Sequence, residues 1–183
     1  MLSDTEIKKE INKPLSDIEI KKAFNDKIHV YTYDEIQDFK RIEDLLYPYN
    51  KCIILYVFND DIHESMGHYV CLTSHNDKNI FFDSYGRNDK QILNTIEDDI
   101  NMLNDQDYPK ITELLKKSNN PVVINKKKLQ DDNSATCGRW CSFIIEELPK
   151  YRSLEDLLKN FNFNNDTKHN DREIVKLTQF YFK

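Results

Sequence analysis

The fold of this chain is decided by the stretch QDDNSATCGRWC, which covers residues 130–141. A polar loop ends at Thr136, and from Cys137 to Leu148 apolar residues recur on one stripe of an expected helix. A cysteine at a helix N-terminus lies near the positive end of the helix dipole and near unpaired backbone N–H groups, and both lower a thiol pKa. Gly138, the next residue, allows another backbone to approach closely. We therefore interpret Cys137 as a candidate nucleophile.

The other two glycines of the 183-residue chain each lie near a second candidate. Gly67 precedes His68, and Gly86 closes the segment FDSYG, which contains Asp83. A turn at residues 76–79 separates the strands that carry the histidine and the acid, so a hairpin would bring both to the same end of the sheet. We expect the carboxylate to accept the Nδ1–H of the imidazole, which leaves Nε2 to face the thiol.

Gln130 lies seven residues before Cys137, after an expected strand. Its side-chain amide N–H could join the backbone N–H of Cys137 as an oxyanion hole. The four residues together are the parts of a thiol nucleophile with its base, its orienting acid and its oxyanion donors.

A zinc site is the competing interpretation of the same residue types, which are His63, His68, Cys71, His75, Cys137 and Cys141. His68 and Cys71, however, would point to opposite faces of one strand. No C-x-x-C motif occurs either. We therefore expect no metal and no other cofactor, and we interpret Cys52, Cys71 and Cys141 as reduced thiols of the core.

Composition excludes several classes of protein. The 39% hydrophobic content, with ten Tyr and ten Phe, argues against disorder. The net charge of −6 offers no electrostatic footprint for nucleic acid, so DNA is an unlikely partner, and the run Lys126–Lys128 is interpreted as a solvated turn. No apolar run approaches the ~20 residues that span a membrane.

The periodicity of the chain predicts a single α+β domain, in which helices flank a small central mixed β-sheet and Cys137 begins a buried central helix. We divide it into an N-terminal helical element (1–27), a catalytic core (28–148) and C-terminal helices (149–183). The expected strands are Ile28–Tyr33, Cys52–Phe58, His68–Thr73, Ile80–Asp83 and Pro121–Ile124, and the expected helices of the core and C-terminus are Asp34–Leu46, Lys90–Leu103, Ile111–Lys117, Cys137–Leu148, Ser153–Leu158 and Asp171–Tyr181.

The first 22 residues contain a duplication, since Leu2–Lys9 recurs as Leu15–Lys22. Each copy places Ser three residues before Glu, which is the capping-box pattern of a helix start. We expect two short helices, the first loosely attached and easily displaced, and therefore a candidate regulatory element.

The order His68, Asp83, Gln130, Cys137 resembles that of the adenain-like and Ulp1-like cysteine proteases. GHYV (67–70) resembles their Gly-His-Trp strand start, with Tyr69 in place of the Trp that covers the catalytic histidine. FDSYG (82–86) resembles the Asp-Ser-Phe-Gly of proteases from Polinton-like elements and virophages. QDDNSATCG (130–138) resembles the Gln…Ser-Ala-Ala-Cys-Gly of adenain. The resemblance covers residues 28–148.

This resemblance implies a cysteine endopeptidase that processes viral capsid or core protein precursors at Gly-Gly or Gly-X sites during virion maturation, in the virion and the host-cell cytoplasm. It implies that Cys137 is the nucleophile, His68 the base and Asp83 the orienting acid. Gln130 and the backbone of Cys137 would form the oxyanion hole. The substrate cleft would include Gly67, Tyr69 and Gly138. An activating peptide is a further expected partner.

Two alternatives stay open. One is a deubiquitinating or deSUMOylating isopeptidase of the same fold, for which 183 residues leave little room to bind a folded ubiquitin-like partner. The other is a catalytically silent capsid-associated protein or a zinc-binding module, against which the intact set of four residues argues.

Overall fold

The fold is a mixed five-stranded sheet, seen in a computed structural model that describes residues 2–58, 67–161 and 166–182. The strands lie side by side in chain order, and the two outer pairs are parallel while the two inner pairs are antiparallel. Their bounds are β1 His29–Thr32, β2 Lys51–Val57, β3 Gly67–His75, β4 Lys78–Phe82 and β5 Val122–Ile124. The predicted α+β architecture is confirmed.

Helices cover both faces of this sheet. Their bounds are α1 Asp4–Ile11, α2 Asp17–Ala23, α3 Ile42–Leu46, α4 Asp89–Leu93, α5 Asp98–Leu103, α6 Lys110–Lys116, α7 Cys137–Glu147, α8 Leu154–Leu158 and α9 Thr167–Thr178, with 3₁₀ turns at Asp34–Ile36 and Leu148–Lys150. Helix α7 packs on β3, where Tyr69 and Cys71 meet Trp140 in one core cluster, whereas Val70 and Leu72 face a second cluster on the opposite side. Within the described ranges, no helix combines the length and the apolar character needed to cross a membrane.

The predicted hairpin of β3 and β4 is confirmed. Its tip places Asn76 and Asp77 at φ values of 48° and 57°, as a two-residue turn that matches the strand twist requires. Because Phe82 pairs with Cys71, the next residue, Asp83, continues toward the end of the hairpin at which β3 begins.

The single helix predicted for Asp34–Leu46 is wrong, since the segment forms a 3₁₀ turn and then α3. Its apolar residues Ile36, Phe39 and Ile42 recur every three residues. That spacing is shorter than the turn of about 3.6 residues in an α-helix, so the apolar side chains would rotate away from the core along one continuous helix.

The helix predicted for Lys90–Leu103 is also divided, into α4 and α5. An Asn88–Gln91 capping box starts α4 early, and the Thr95 hydroxyl donates to the carbonyl of Ile92 just after its end. Such local side-chain bonds compete with the helical ladder and favour a turn.

The N-terminal duplication forms the two helices that it predicted. Both capping boxes are present, Ser3 with Glu6 in α1 and Ser16 with Glu19 in α2. The expectation of loose attachment is wrong, however. Ile7 is only 2% exposed, and α1 packs against α9.

Ile7→Ala is therefore expected to lower the free energy of unfolding by roughly 2–5 kcal/mol, because it truncates a fully buried side chain of α1. Ile18→Ala is the matched control, since Ile18 is 77% exposed on the neighbouring helix, and it should change stability little. Urea denaturation of both variants measures the difference. Equal, small effects would mean that α1 does not contribute to the fold.

Candidate active site

Cys137 is the first residue of α7 and lies against the start of β3. It is 8% exposed, and the nearby backbone N–H groups of Tyr69 and Gly138 act to lower the pKa of its thiol. The helix does not cap itself, because the Thr136 side chain at the N-cap bonds elsewhere. The thiol is thus held at a helix N-terminus, as its sequence position predicts.

His68 and Asp83 are in contact and fully buried, with Nε2 of the imidazole bonded to Oδ1 of the carboxylate. The ring is therefore turned relative to the expectation, which gave Nδ1 to the acid. The reason is the register of the hairpin. Asp83 follows Phe82, which pairs with Cys71, so the carboxylate lies diagonally across from His68. Nε2, the ring nitrogen farther from the backbone, therefore reaches it. The imidazole also lies close enough to the thiol of Cys137 for each group to shift the pKa of the other.

The charges of Asp83, His68 and Cys137 shift one another's pKa values. Burial alone would raise the pKa of the Cys137 thiol, but the hydrogen bond and positive charge of His68, with the backbone N–H groups, bring it below its ordinary value. Burial likewise opposes the charged imidazole, yet the bonds and charges of Asp83 and Cys137 raise the pKa of His68 to about 9. Both shifts act in the direction of a thiolate–imidazolium pair.

Arg87 is a site residue that the sequence interpretation missed. The second carboxylate oxygen of Asp83 accepts hydrogen bonds from the backbone N–H (2.8 Å) and the Nε–H (3.1 Å) of Arg87. Burial would raise the pKa of Asp83, but the bond and charge of His68 and then the charge of Arg87 keep it below its ordinary value. The i, i+4 spacing of the acid and the arginine was the available signal.

Tyr85 and Phe58 form the aromatic surroundings of His68, with ring centroids 5.2 Å and 6.0 Å from the imidazole. The expectation that Tyr69 covers the histidine is wrong. Residues 68 and 69 point to opposite faces of β3, and the Tyr69 hydroxyl donates to Asp17 of α2.

The predicted cleft residues are not brought together as an open groove. Gly67 is exposed at the start of β3, whereas Tyr69 and Gly138 are buried beneath Leu15. A Cβ on Gly138 would lie 3.3 Å from the Tyr69 ring and 3.4 Å from Leu15, so glycine allows this close packing beside the thiol.

Gln130 is brought to the same end of the sheet through Gly86. That glycine adopts a φ of +73°, and a Cβ on it would meet the backbone of residues 126–127 at 2.7–2.8 Å. The close approach lets the backbone N–H of Gln130 bond to the carbonyl of Ser84, next to Asp83.

The side-chain amide of Gln130 is held in one orientation. Its carbonyl accepts from the Ser84 hydroxyl at 2.6 Å, and Nε2 donates to the carbonyl of Ser134 at 2.9 Å. An amide nitrogen carries two N–H groups. Among the described residues, one of these two N–H groups has an acceptor, the carbonyl of Ser134, so the other is available to donate a hydrogen bond. Ser84 is a further residue that the sequence interpretation missed.

The residues of the competing zinc interpretation that the structure describes do not form a metal site. Among the described residues, no group of three or more His, Cys, Asp or Glu side chains is placed to hold a metal ion. His75 bonds through Nε2 to the carbonyl of Tyr151, and Cys71 and Cys141 lie as free thiols in the core. His63 falls outside the described residues.

Comparisons with known proteins connect this site to a family. No family model matches the chain. Protein V9 of the Sputnik virophage is 30% identical over 148 residues, which are 79% of this chain and 81% of that protein. Among solved structures, ChlaDub1 of Chlamydia trachomatis aligns with a TM-score of 0.51 and 12% identity over 93% of this chain and 91% of its own. The pS273R protease of ASFV aligns with a TM-score of 0.46 and 10% identity over 88% and 67%.

The virophage relative matches most of both chains, and the alignment with ChlaDub1 extends over nearly the whole of this fold. The chain therefore belongs to the family of the virophage V9 protein, and its fold is that of the Ulp1/adenain-like cysteine proteases.

Proposed function

We propose that this chain is a cysteine endopeptidase that cleaves viral capsid or core protein precursors during virion maturation. The observation that carries the proposal is the buried contact of His68 with Asp83 near the N-terminus of α7, where the influence of His68 lowers the pKa of the Cys137 thiol. A silent structural protein has no need of a buried charged trio, since burying charge is costly.

In the proposed reaction, His68 holds the proton that Cys137 has lost, and the thiolate attacks the carbonyl carbon of the scissile peptide bond. The oxyanion that forms accepts hydrogen bonds from the backbone N–H of Cys137 and from the remaining N–H of Gln130. His68 then gives its proton to the departing amine. Water, deprotonated by His68, hydrolyses the thioester and restores the thiolate.

The substrate proposal is a peptide segment with small residues, Gly-Gly or Gly-X, at the cleaved bond. It is supported by the motif resemblance and by the virophage origin of the V9 relative. Cleavage would take place in the host-cell cytoplasm and in the assembling virion. The net charge of −6 makes a polyanion such as DNA an unfavourable activator, so any activator is proposed to be a peptide.

The test is turnover of quenched fluorescent peptides that differ only at the central pair, Gly-Gly, Gly-Ala or Leu-Leu. Selective cleavage of the glycine-containing peptides is expected, and mass spectrometry of the products identifies the bond. Duplex DNA added in a parallel series should not stimulate the reaction. If none of the peptides is cleaved, and folded precursor proteins are not cleaved either, the endopeptidase proposal fails.

The second candidate is an isopeptidase that removes ubiquitin or a ubiquitin-like protein, and the fold shared with ChlaDub1 favours it. Ubiquitin and SUMO bearing a C-terminal fluorophore form the other arm of the same assay. Faster release from these folded substrates than from the Gly-Gly peptide would select the isopeptidase over the endopeptidase.

Gln130→Ala is expected to lower kcat by about 10²–10³ with KM little changed, because the lost amide N–H would act on the oxyanion and not on the bound substrate. Asp132→Asn is the matched control in the same loop, since its carboxylate is 73% exposed and forms an ion pair with the solvent-accessible Lys128. It should retain wild-type kinetics. A Gln130 variant that raised KM alone would instead place this side chain in substrate binding.

A further inference from the structure

Asp171 of α9 is a fully buried carboxylate close to the candidate site, at 1% exposure. Its Oδ1 accepts from the Thr136 hydroxyl at 2.5 Å and from the Trp140 indole N–H at 3.2 Å. Its Oδ2 accepts from the backbone N–H of Asp131 at 2.9 Å. All three of these donors are neutral.

These three contacts lie at the two ends of the loop formed by residues 130–137, which carries the proposed oxyanion donor Gln130. Asp131 directly follows Gln130, and Thr136 directly precedes Cys137, while Trp140 lies one turn into α7. One carboxylate thus ties both ends of the 130–137 segment to the first turn of the nucleophile helix.

Two neighbours of Asp171 on α9 reinforce the same attachment. The Asn170 side chain donates to the carbonyl of Leu129 at 3.2 Å, and the Thr167 hydroxyl donates to the carboxylate of Asp131 at 3.2 Å. The loop also has internal bonds, from Gln130 and from the Ser134 hydroxyl. The loop is also bonded to Ser84 and, through the backbone N–H of Ala135, to Ile11 of α1, and the contacts of Asp171 add a direct attachment to α7 and α9.

The buried charge also lies at the uncapped N-terminus of α7. Because the Thr136 hydroxyl donates to Asp171, it does not cap its own helix. A carboxylate at this end is favoured by the helix dipole. Burial nevertheless raises the pKa of Asp171 above its ordinary value, against the opposing effect of its hydrogen bonds. A group retained at such a cost is a candidate for a role beyond packing.

We propose that Asp171 is a positioning residue. By accepting hydrogen bonds from Asp131 and Thr136, at the two ends of the loop, it holds the oxyanion donor Gln130 and the nucleophile Cys137 at the distance that the reaction requires. The proposal rests on the protease function proposed above. It assigns a role in the reaction to α9, which lies outside the part of the chain that carries the sequence resemblance.

The contacts define the variants that test it. Asp171→Asn keeps the shape of the side chain but presents an N–H₂ group to one of its three donors. Thr136→Val removes the hydroxyl that donates to Asp171 without changing any charge, and Thr136→Ser restores it. Val175→Ala is the control for stability alone, since Val175 is a fully buried apolar residue of the same helix.

The expected result is a fall in kcat of between about 10-fold and 10²-fold for Asp171→Asn and for Thr136→Val, with KM nearly unchanged, because a shift of the order of 1 Å between donor and nucleophile is enough for such a loss. Thr136→Ser should recover wild-type kcat. The double variant should lose less than the sum of the two single variants, because both act on one contact. Val175→Ala should lower Tm while kcat stays at the wild-type value.

Alkylation of Cys137 by iodoacetamide, followed by mass spectrometry, gives a readout that needs no substrate. Thr136→Val should slow it several-fold at neutral pH, because the sulfur is no longer held against His68. If the wild-type chain cleaves nothing but Thr136→Val still slows alkylation, the protease proposal fails and the positioning role stands. If wild-type turnover is measurable and the Asp171 and Thr136 variants lower only Tm, as Val175→Ala does, the positioning role is overturned.

Discussion

Cys137→Ala is expected to abolish peptide cleavage, with a loss of roughly 10⁴-fold or more, since the residual rate of a site without its nucleophile comes from binding and oxyanion stabilisation alone. No other thiol can replace it. Burial raises the pKa of Cys52 and of Cys141 above the ordinary value, whereas that of Cys137 is lowered. The measurement is kcat on the Gly-Gly peptide, beside a thermal melt to show that the variant is folded.

Cys52→Ala and Cys141→Ala are the controls for this experiment. Both thiols lie in the core, so these variants should melt at a lower temperature yet keep turnover at a temperature where they are folded. Iodoacetamide should label Cys137 first in the wild-type chain, because thiolate and not thiol is the reactive form. Full turnover by Cys137→Ala would refute the protease proposal outright.

Asp83→Asn is expected to have the next largest effect, a loss in kcat of roughly 10²–10⁴-fold, by analogy with the acid of a serine protease triad. The carboxylate accepts from the Nε2–H of His68 and stabilises the imidazolium. An asparagine amide in its place loses the negative charge and can present a donor where His68 needs an acceptor.

The effect of Asp83→Asn on the pH dependence of activity has an expected direction. The working pair needs His68 protonated, so activity of the wild-type chain should fall as the pH rises through about 9, the pKa of that imidazole. It should fall on the acid side as the Cys137 thiolate takes up a proton. Asp83 raises the pKa of His68, so Asp83→Asn should move the alkaline limb to lower pH. Asp132→Asn removes one exposed charge and should leave the limb in place, and a limb equally unmoved by Asp83→Asn would contradict the role of Asp83.

The elements that determine the site were predictable because each has a local signal. The loop and apolar stripe around Cys137 predicted α7, and the turn at residues 76–79 predicted the hairpin that joins His68 to Asp83. A hairpin fixes which residues meet at its open end, since pairing proceeds residue by residue from the turn.

Other features could not be read from the sequence because their partners are distant. Asp171 is separated from Thr136 by 35 positions, and Tyr69 from Asp17 by 52, and no periodicity marks either pair. The choice of ring nitrogen that faces Asp83 depends on the diagonal position of Asp83 relative to His68. The sequence predicts that the two strands pair, but it does not predict this offset. The packing of α1 against α9, at the other end of the described chain, likewise has no local signal.

The attachment of the 130–137 loop to α9 has a consequence for the order in which the chain is made. A ribosome completes Cys137 and its helix well before it reaches Asp171, and domains fold as the nascent chain emerges. If Asp171 has the proposed positioning role, the loop lacks its bonds to Asp171 until α9 has left the exit tunnel, and the new thiol is not yet aligned with its proposed oxyanion donors. A nascent protease of this design would thus be silent during its own synthesis. Ribosome-bound chains that end at residue 161 and are extended by a flexible linker long enough to clear the tunnel should not react with a peptide-based covalent probe, whereas the full chain with the same linker should be labelled.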